Sequence, residues 1–265
     1  MLLVGVEGTP FVDLRRVNVA RGPTTVLHDL NLSVYPGEHI ALLGPNGCGK
    51  STLIKTLTCE CYPLVQEGTS VTIFGRERWD LTELKKRLGV VSAELPGKPM
   101  LSTTGRDAVL TGFFSSSTLW PNLKVTPEMA ARADEVLELV GATSIAGKYV
   151  GAMSAGQQRR VMIGRALAGS AGTLLLDEPS NALDLAAQKD LHELMRVLAR
   201  QGTTILLITH HLPDIIPEIG RILLMKDGRI VGDGPKEELL KAETLSELFQ
   251  TNVELTIRDG RYYAS

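Results

Sequence analysis

Nine residues, Gly44-Pro45-Asn46-Gly47-Cys48-Gly49-Lys50-Ser51-Thr52, constrain this chain more than any other stretch. They follow the pattern G-x-x-x-x-G-K-[ST], in which backbone N–H groups of a glycine-rich turn and of the next helix start face phosphate oxygens. In that reading Lys50 reaches the β- and γ-phosphates of a nucleoside triphosphate and the Ser51 hydroxyl ligates Mg²⁺. A glycine turn with no ligand matches the same letters, so the flanks decide. His39-Ile40-Ala41-Leu42-Leu43 reads as a buried strand and Thr52 to Leu57 as a helix, which is the strand–loop–helix context the chemistry requires.

The 265 residues allow one large domain or two small ones with a substantial core. A formal net charge of −2 gives no overall electrostatic footprint for nucleic acid, so no nucleic-acid partner is expected. Three cysteines, Cys48, Cys59 and Cys61, make no secreted disulfide framework and suit a reducing compartment. Cys59-Glu60-Cys61 has metal-ligand residue types but no companion Cys/His pair nearby, and reads better as ordinary thiols. The N-terminus lacks a basic segment followed by a long apolar core, and no run reaches the roughly 18 apolar residues of a membrane span. Ala108 to Leu123 is uncharged, yet its Thr, Ser, Gly, Asn and Pro residues make it a poor spanning helix. A soluble or peripheral protein is expected.

In chain order, residues 11–43 read as short strands and turns: Phe11 to Leu14, Thr24 to Leu27, Leu30 to Val34, then the strand before Gly44. Ser70 to Phe74 and Leu88 to Ser92 are further strands. Between Leu95 and Ala152 glycine, proline and serine loops surround one clear helix, capped by Thr126, with Pro127 in its first turn and Gly141 at its end. Thr173 to Asp177 and Thr203 to Thr209 are buried strands on either side of an amphipathic helix with Ala187, Leu191, Leu194, Met195 and Leu198 on one face. After Gly220 come two antiparallel strands about a Lys226-Asp227-Gly228 turn, a helix around Lys236 to Phe249 and a hairpin about Asp259-Gly260. The fold class expected is α/β, a P-loop NTPase core with a mostly parallel sheet, an antiparallel β subdomain and an inserted helical subdomain. Its parts are residues 11–94 and 161–235 for the nucleotide-binding core, 95–160 for the helical subdomain and 236–265 for a C-terminal helix and hairpin.

Two further stretches carry chemistry. Leu174-Leu175-Leu176-Asp177-Glu178 delivers two carboxylates to a strand end, Asp177 to hold Mg²⁺ through its water shell and Glu178 to polarise an attacking water. Taken alone, the pair is also an ordinary strand terminus. Met153-Ser154-Ala155-Gly156-Gln157 precedes Val161 to Leu167, which reads as a helix start, so Ser154 and the N–H groups near Gly156 serve as a helix cap or as a second phosphate contact.

Together these segments resemble the nucleotide-binding subunit of an ATP-binding cassette (ABC) transporter. Gly44 to Thr52 is similar to the family's Walker A, Met153 to Gln157 to its LSGGQ signature with Met153 and Ala155 as substitutions, and Leu174 to Glu178 to its Walker B with catalytic glutamate. Ser180-Asn181-Ala182-Leu183-Asp184 resembles the D-loop and Ile208-Thr209-His210 the switch histidine. The resemblance implies an ATPase that binds ATP and Mg²⁺ and works as a head-to-tail dimer, with a second ATPase subunit supplying Ser154, Gly156 and Gln157 to each site. It also implies that His210 contacts the γ-phosphate, that Asp184 helps join the subunits, and that a multi-spanning membrane subunit holds the protein peripherally on the cytoplasmic face. Phe113-Phe114 and Leu119-Trp120 are then anchors for that subunit or core of the helical subdomain. A soluble ATPase in nucleic-acid maintenance or cytosolic assembly shares these motifs, and a non-hydrolysing nucleotide sensor is a third reading. The Ser92-Ala93-Glu94 segment, the Thr209-His210-His211-Leu212 ending and the C-terminal hairpin are similar to ATPases of iron-chelate and molybdate importers.

Two positions depart from the family pattern. Arg21, between Ala20 and Gly22, stands where an aromatic usually stacks on adenine; its planar guanidinium stacks in its place or is a plain surface arginine. Glu94 stands in the segment of the expected Q-loop glutamine, where it reaches the Mg²⁺ or its water while adding negative charge near a triphosphate.

Overall fold

The computed structural model describes residues 8–92, 96–169, 171–258 and 260–264. Strands β1 (Val12–Arg21), β2 (Thr24–Val34) and β3 (Ile40–Leu43) lead into α1 (Lys50–Leu57) and β4 (Ser70–Ile73). Then follow α2 (Leu81–Arg87), β5 (Leu88–Val91), α3 (Lys98–Leu101), α4 (Gly105–Leu110), α5 (Pro127–Leu139) and α6 (Ala155–Ala168). The chain continues through β6 (Thr173–Asp177), α7 (Leu185–Arg200), β7 (Thr204–Thr209), β8 (Arg221–Lys226) and β9 (Arg229–Pro235). Two short helices, α8 (Lys236–Leu239) and α9 (Ala242–Phe249), precede the hairpin β10 (Leu255–Arg258) and β11 (Arg261–Ala264). The chain divides into two compact units, residues 1–81 with 208–265, and residues 82–207.

In the first unit β1 pairs antiparallel with both β2 and β4. The sequence suggests two short strands at Thr24 to Leu27 and Leu30 to Val34, but the structure joins them into one. The reason lies eleven residues away: at Asp29, where φ is +50°, the backbone N–H finds the Asn18 side-chain oxygen at 3.0 Å. Asn31 does the same for the Arg16 N–H at 2.9 Å, so side chains satisfy the backbone groups that the register shifts displace. β3, buried at all four positions, runs parallel to β8, and β8 pairs antiparallel with β9. The helix expected around Lys236 to Phe249 is two, because Leu240 turns inward to 3% exposure and breaks the helical run.

In the second unit β5 and β6 run parallel in register, Leu88 opposite Thr173 through Val91 opposite Leu176. The expected caps of α5 are present: Thr126 accepts the Met129 N–H at 3.3 Å, Pro127 sits in the first turn, and Ala133, Val136 and Leu137 are buried. The segment before it holds more helix than the one expected. α4, capped by Thr104, escapes a periodicity reading because Ala108, Val109 and Leu110 are all buried and show no polar face. Arg165 of α6 ties this region down, donating to Thr111 Oγ1 and to the Ser116 carbonyl, each at 3.0 Å. Phe113, Phe114 and Leu119 are half-buried, and Trp120 is exposed. Among the described residues no helix is long and apolar enough to cross a membrane.

Candidate functional site

In the first unit, Gly44 to Gly49 turn the chain from the end of β3 into α1, with φ of +81° at Gly47 and +110° at Gly49. Glycine alone takes these angles without steric cost. The Thr52 and Leu53 N–H groups both point back to the Gly49 carbonyl at 3.0 Å, which starts the helix tightly. Lys50 is only 8% exposed; its Nζ donates to the Gly44 carbonyl at 2.7 Å and to the Pro45 carbonyl at 3.0 Å. An ammonium has three N–H bonds, so among the described residues one remains to give to an anion in the loop. Pro45 is half-buried, while Asn46, Gly47 and Ser51 are exposed and Thr52 is buried. The Ser51 hydroxyl is a hard oxygen donor of the type Mg²⁺ takes. Burial pushes the Cys48 thiol above its ordinary value, against an opposing pull from Lys50, so the residue acts as a buried neutral group.

The loop has a brace that the sequence reading passed over as a plain turn. Gly228, between β8 and β9, donates its N–H to the Cys48 carbonyl at 2.9 Å, and its carbonyl accepts the His28 N–H at 2.9 Å. Asp227 and Gly228 both have positive φ, +48° and +72°, the signature of the hairpin turn that Asp-Gly favours. That dipeptide was the available signal; its contact with the loop was not legible.

Arg21 ends β1, exposed, with Nη1 3.9 Å from Cys61 Sγ. Burial raises the Cys59 thiol as well, which matches the ordinary-thiol reading. His210 follows the fully buried β7 and emerges exposed, its ring centroid 4.0 Å from that of His211.

In the second unit Ser154 is the N-cap of α6. Its hydroxyl accepts the Gln157 N–H at 3.3 Å and the Gln157 side chain accepts the Ser154 N–H at 3.1 Å, a reciprocal capping box. The helix thus starts at Ala155, six residues before the apolar run at Val161 that marks it in the sequence. Gly156 lies against the first turn of α7: a Cβ there would come 2.8 Å from the Ala187 Cβ. Asp184 caps α7 by accepting the Ala187 N–H at 2.8 Å, and Arg160 ties α6 to α7 through Asp190 at 2.6 Å. Signature-like and D-loop-like segments are therefore adjoining helix starts.

Asp177 and Glu178 stand half-buried at the end of β6, whose four preceding residues are fully buried. Glu178 has φ of +47°, a left-handed backbone that costs a non-glycine residue about 1–2 kcal/mol. Backbone of this kind occurs in plain turns as well as where a side chain is aimed, and Asp29 and Asp227 share it. Arg159 of α6, missed in the sequence reading, donates to the Ser92 carbonyl at 2.5 Å and feels the Asp177 charge while burial lowers its pKa. Glu94 lies outside the described residues.

Residues 27–181 match the family model for ABC transporters. An uncharacterized ABC transporter ATP-binding protein, YmeB, of Lactococcus lactis is 30% identical over 95% of this chain and 97% of its own length. A hemin import ATP-binding protein, HmuV, of Rhodococcus jostii is 31% identical over 90% of this chain and 80% of its own. Among solved structures, an inward-facing putative metal-chelate type ABC transporter superposes with a TM-score of 0.79 over 97% of this chain and 96% of that one, at 23% identity. The ATP-binding cassette MJ0796, as a post-hydrolysis dimer bound to ADP and Pi, superposes at 0.68 with 27% identity over 84% of this chain and 98% of that one. With a family model spanning more than half of its length and curated relatives aligned along nearly all of it, this chain belongs to the ABC transporter family of ATP-binding proteins.

Proposed function

We propose that this chain is the ATP-hydrolysing subunit of an ABC importer, peripheral on the cytoplasmic face of a membrane, where two copies bind two ATP molecules head to tail. The observation that carries the reading is the pairing of half-sites on one chain. Residues Gly44 to Thr52 suit a phosphate loop with Lys50 already seated, and Ser154 to Gln157, exposed at Ser154 and Ala155, make a capped helix start that suits a second anion.

Binding falls to the loop N–H groups and Lys50, with Arg21 at the base. Ser51 and Asp177 offer the hard oxygens to hold Mg²⁺, with Glu94 as a further carboxylate, and that ion when bound neutralises phosphate charge. Glu178 orients and polarises the water for in-line attack on the γ-phosphorus. The charge that spreads over the γ-phosphoryl oxygens is met by Lys50, His210 and Ser154 of the partner subunit. Asp184 lies at the subunit junction. The exposed Trp120, with half-buried Phe113, Phe114 and Leu119, suits docking of a membrane-spanning partner. The import direction is carried over from relatives named for hemin, sulfate/thiosulfate and spermidine/putrescine import.

The test is affinity purification of the tagged chain from membranes of its own host, followed by reconstitution with whatever multi-spanning protein accompanies it. ATP-dependent uptake by those vesicles, assayed first with iron chelates, supports the reading. Recovery only from the soluble fraction, with turnover indifferent to membranes, would favour a cytosolic assembly ATPase.

A further inference from the structure

Asp214 is 2% exposed in the turn after β7, and the hydrolytic scheme makes no use of it. A carboxylate that far from water is costly unless its oxygens are engaged. Its Oδ2 accepts the Thr209 hydroxyl at 3.0 Å. That commits the hydroxyl proton, and the Thr209 oxygen in turn accepts the His211 backbone N–H at 2.9 Å. The Asp214 N–H closes the turn on the His211 carbonyl at 3.2 Å.

Three hydrogen bonds thus fix the backbone on both sides of His210, and the His211 ring packs beside the His210 ring. The anchor is packed away from solvent: its chain neighbours Leu212, Ile215 and Ile216 are 3%, 1% and 0% exposed. His210 is exposed, as is His211, in a corner whose backbone is clamped. We propose that Asp214, acting through the Thr209 hydroxyl, is the positioning residue that holds His210 in its working orientation. The inference rests on the reading of His210 as the γ-phosphate contact. A Thr209 hydroxyl turned by an acid buried five residues downstream gives the histidine one direction, so it needs no reorganisation as charge develops on the phosphoryl group.

The experiment compares Thr209→Val, Thr209→Ser, Asp214→Asn and His210→Ala in the full chain, reading ATP turnover, ATP affinity and the imidazole ¹H–¹⁵N signals of His210. Thr209→Val is expected to lower kcat by about tenfold with ATP affinity unchanged and to shift the His210 signals, while Thr209→Ser restores both. In a His210→Ala background Thr209→Val should cost less than about twofold further, because coupled residues are not additive. Asp214→Asn, an isostere with a weaker acceptor, is expected to move kcat and the His210 signals the same way to a smaller extent, and serves where Thr209→Val fails to fold. Loss of turnover in His210→Ala with unchanged kcat and unchanged His210 signals in Thr209→Val and Asp214→Asn overturns the positioning role alone. Full turnover in His210→Ala overturns the underlying role of His210 and the inference with it.

Discussion

The Gly228 N–H meets the Cys48 carbonyl at 2.9 Å, so the β8–β9 turn braces the phosphate loop from behind. A Cβ at Gly228 would lie 2.0 Å from the Val26 carbonyl oxygen, and its φ is +72°. An alanine there must both adopt a strained backbone and push β2 aside, since Val26 is backbone and cannot swing away. Gly228→Ala is expected to lose about 2–3 kcal/mol of stability and to weaken ATP binding by about tenfold. Thermal unfolding and titration with a fluorescent nucleotide measure the two effects. Native values for both would show that the brace contributes nothing to the loop.

Glu178→Gln keeps the size and the left-handed backbone of the residue but removes the carboxylate that polarises water. Turnover should fall by about a hundredfold or more, while ATP binding persists and a dimer accumulates with ATP. Size-exclusion chromatography with and without ATP follows the dimer, and phosphate release follows turnover. Undiminished phosphate release would remove Glu178 from the catalytic role.

Acid should destabilise the protein through His39. Burial holds its imidazole below the ordinary value of 6.5, with the Glu218 carboxylate partly opposing. As pH falls through 6.5 the unfolded chain takes up a proton that the folded chain resists. Stability is thus complete above the unfolded value and falls as pH drops toward the folded one. Urea midpoints at about pH 7.5 and about pH 5.5 should differ more for the wild type than for His39→Asn. Equal differences would place the pH sensitivity elsewhere.

The phosphate loop, the Thr126 cap and the buried strands Thr173 to Asp177 and Thr204 to Thr209 were legible because each depends on near neighbours: glycine conformation, a cap three residues from its donor, an apolar run. What sequence reasoning lost was set by distant contacts. β2 is one strand because Asn18 reaches across to the Asp29 N–H, and no local propensity records that bond. The Ser154 cap of α6 was legible as well, although Ala155 to Arg160 carry no apolar stripe, because a Ser-x-x-Gln capping box is a local pattern. Asp214 carries no local signal of its burial, since nothing near it in the sequence sets it apart from other loop acids. The motifs were thus readable, whereas the contacts of Gly228, Arg159 and Asp214 that support them were not.

Ser154 serves as a helix cap and as a proposed phosphate contact, and one pair of substitutions separates the two. Ser154→Ala removes the hydroxyl that accepts the Gln157 N–H and should cost about 1 kcal/mol, with hydrolysis reduced. Asp is as good an N-cap as Ser, and a carboxylate also suits the positive end of α6, so Ser154→Asp should keep wild-type stability. The same carboxylate, facing the triphosphate of a partner subunit, should abolish ATP-driven dimerisation. Urea unfolding gives the first quantity and light scattering with ATP the second, best in the Glu178→Gln background where the dimer persists. If Ser154→Asp dimerises as readily as Ser154, the hydroxyl is a cap alone and the partner's half of the site must be sought at another helix start.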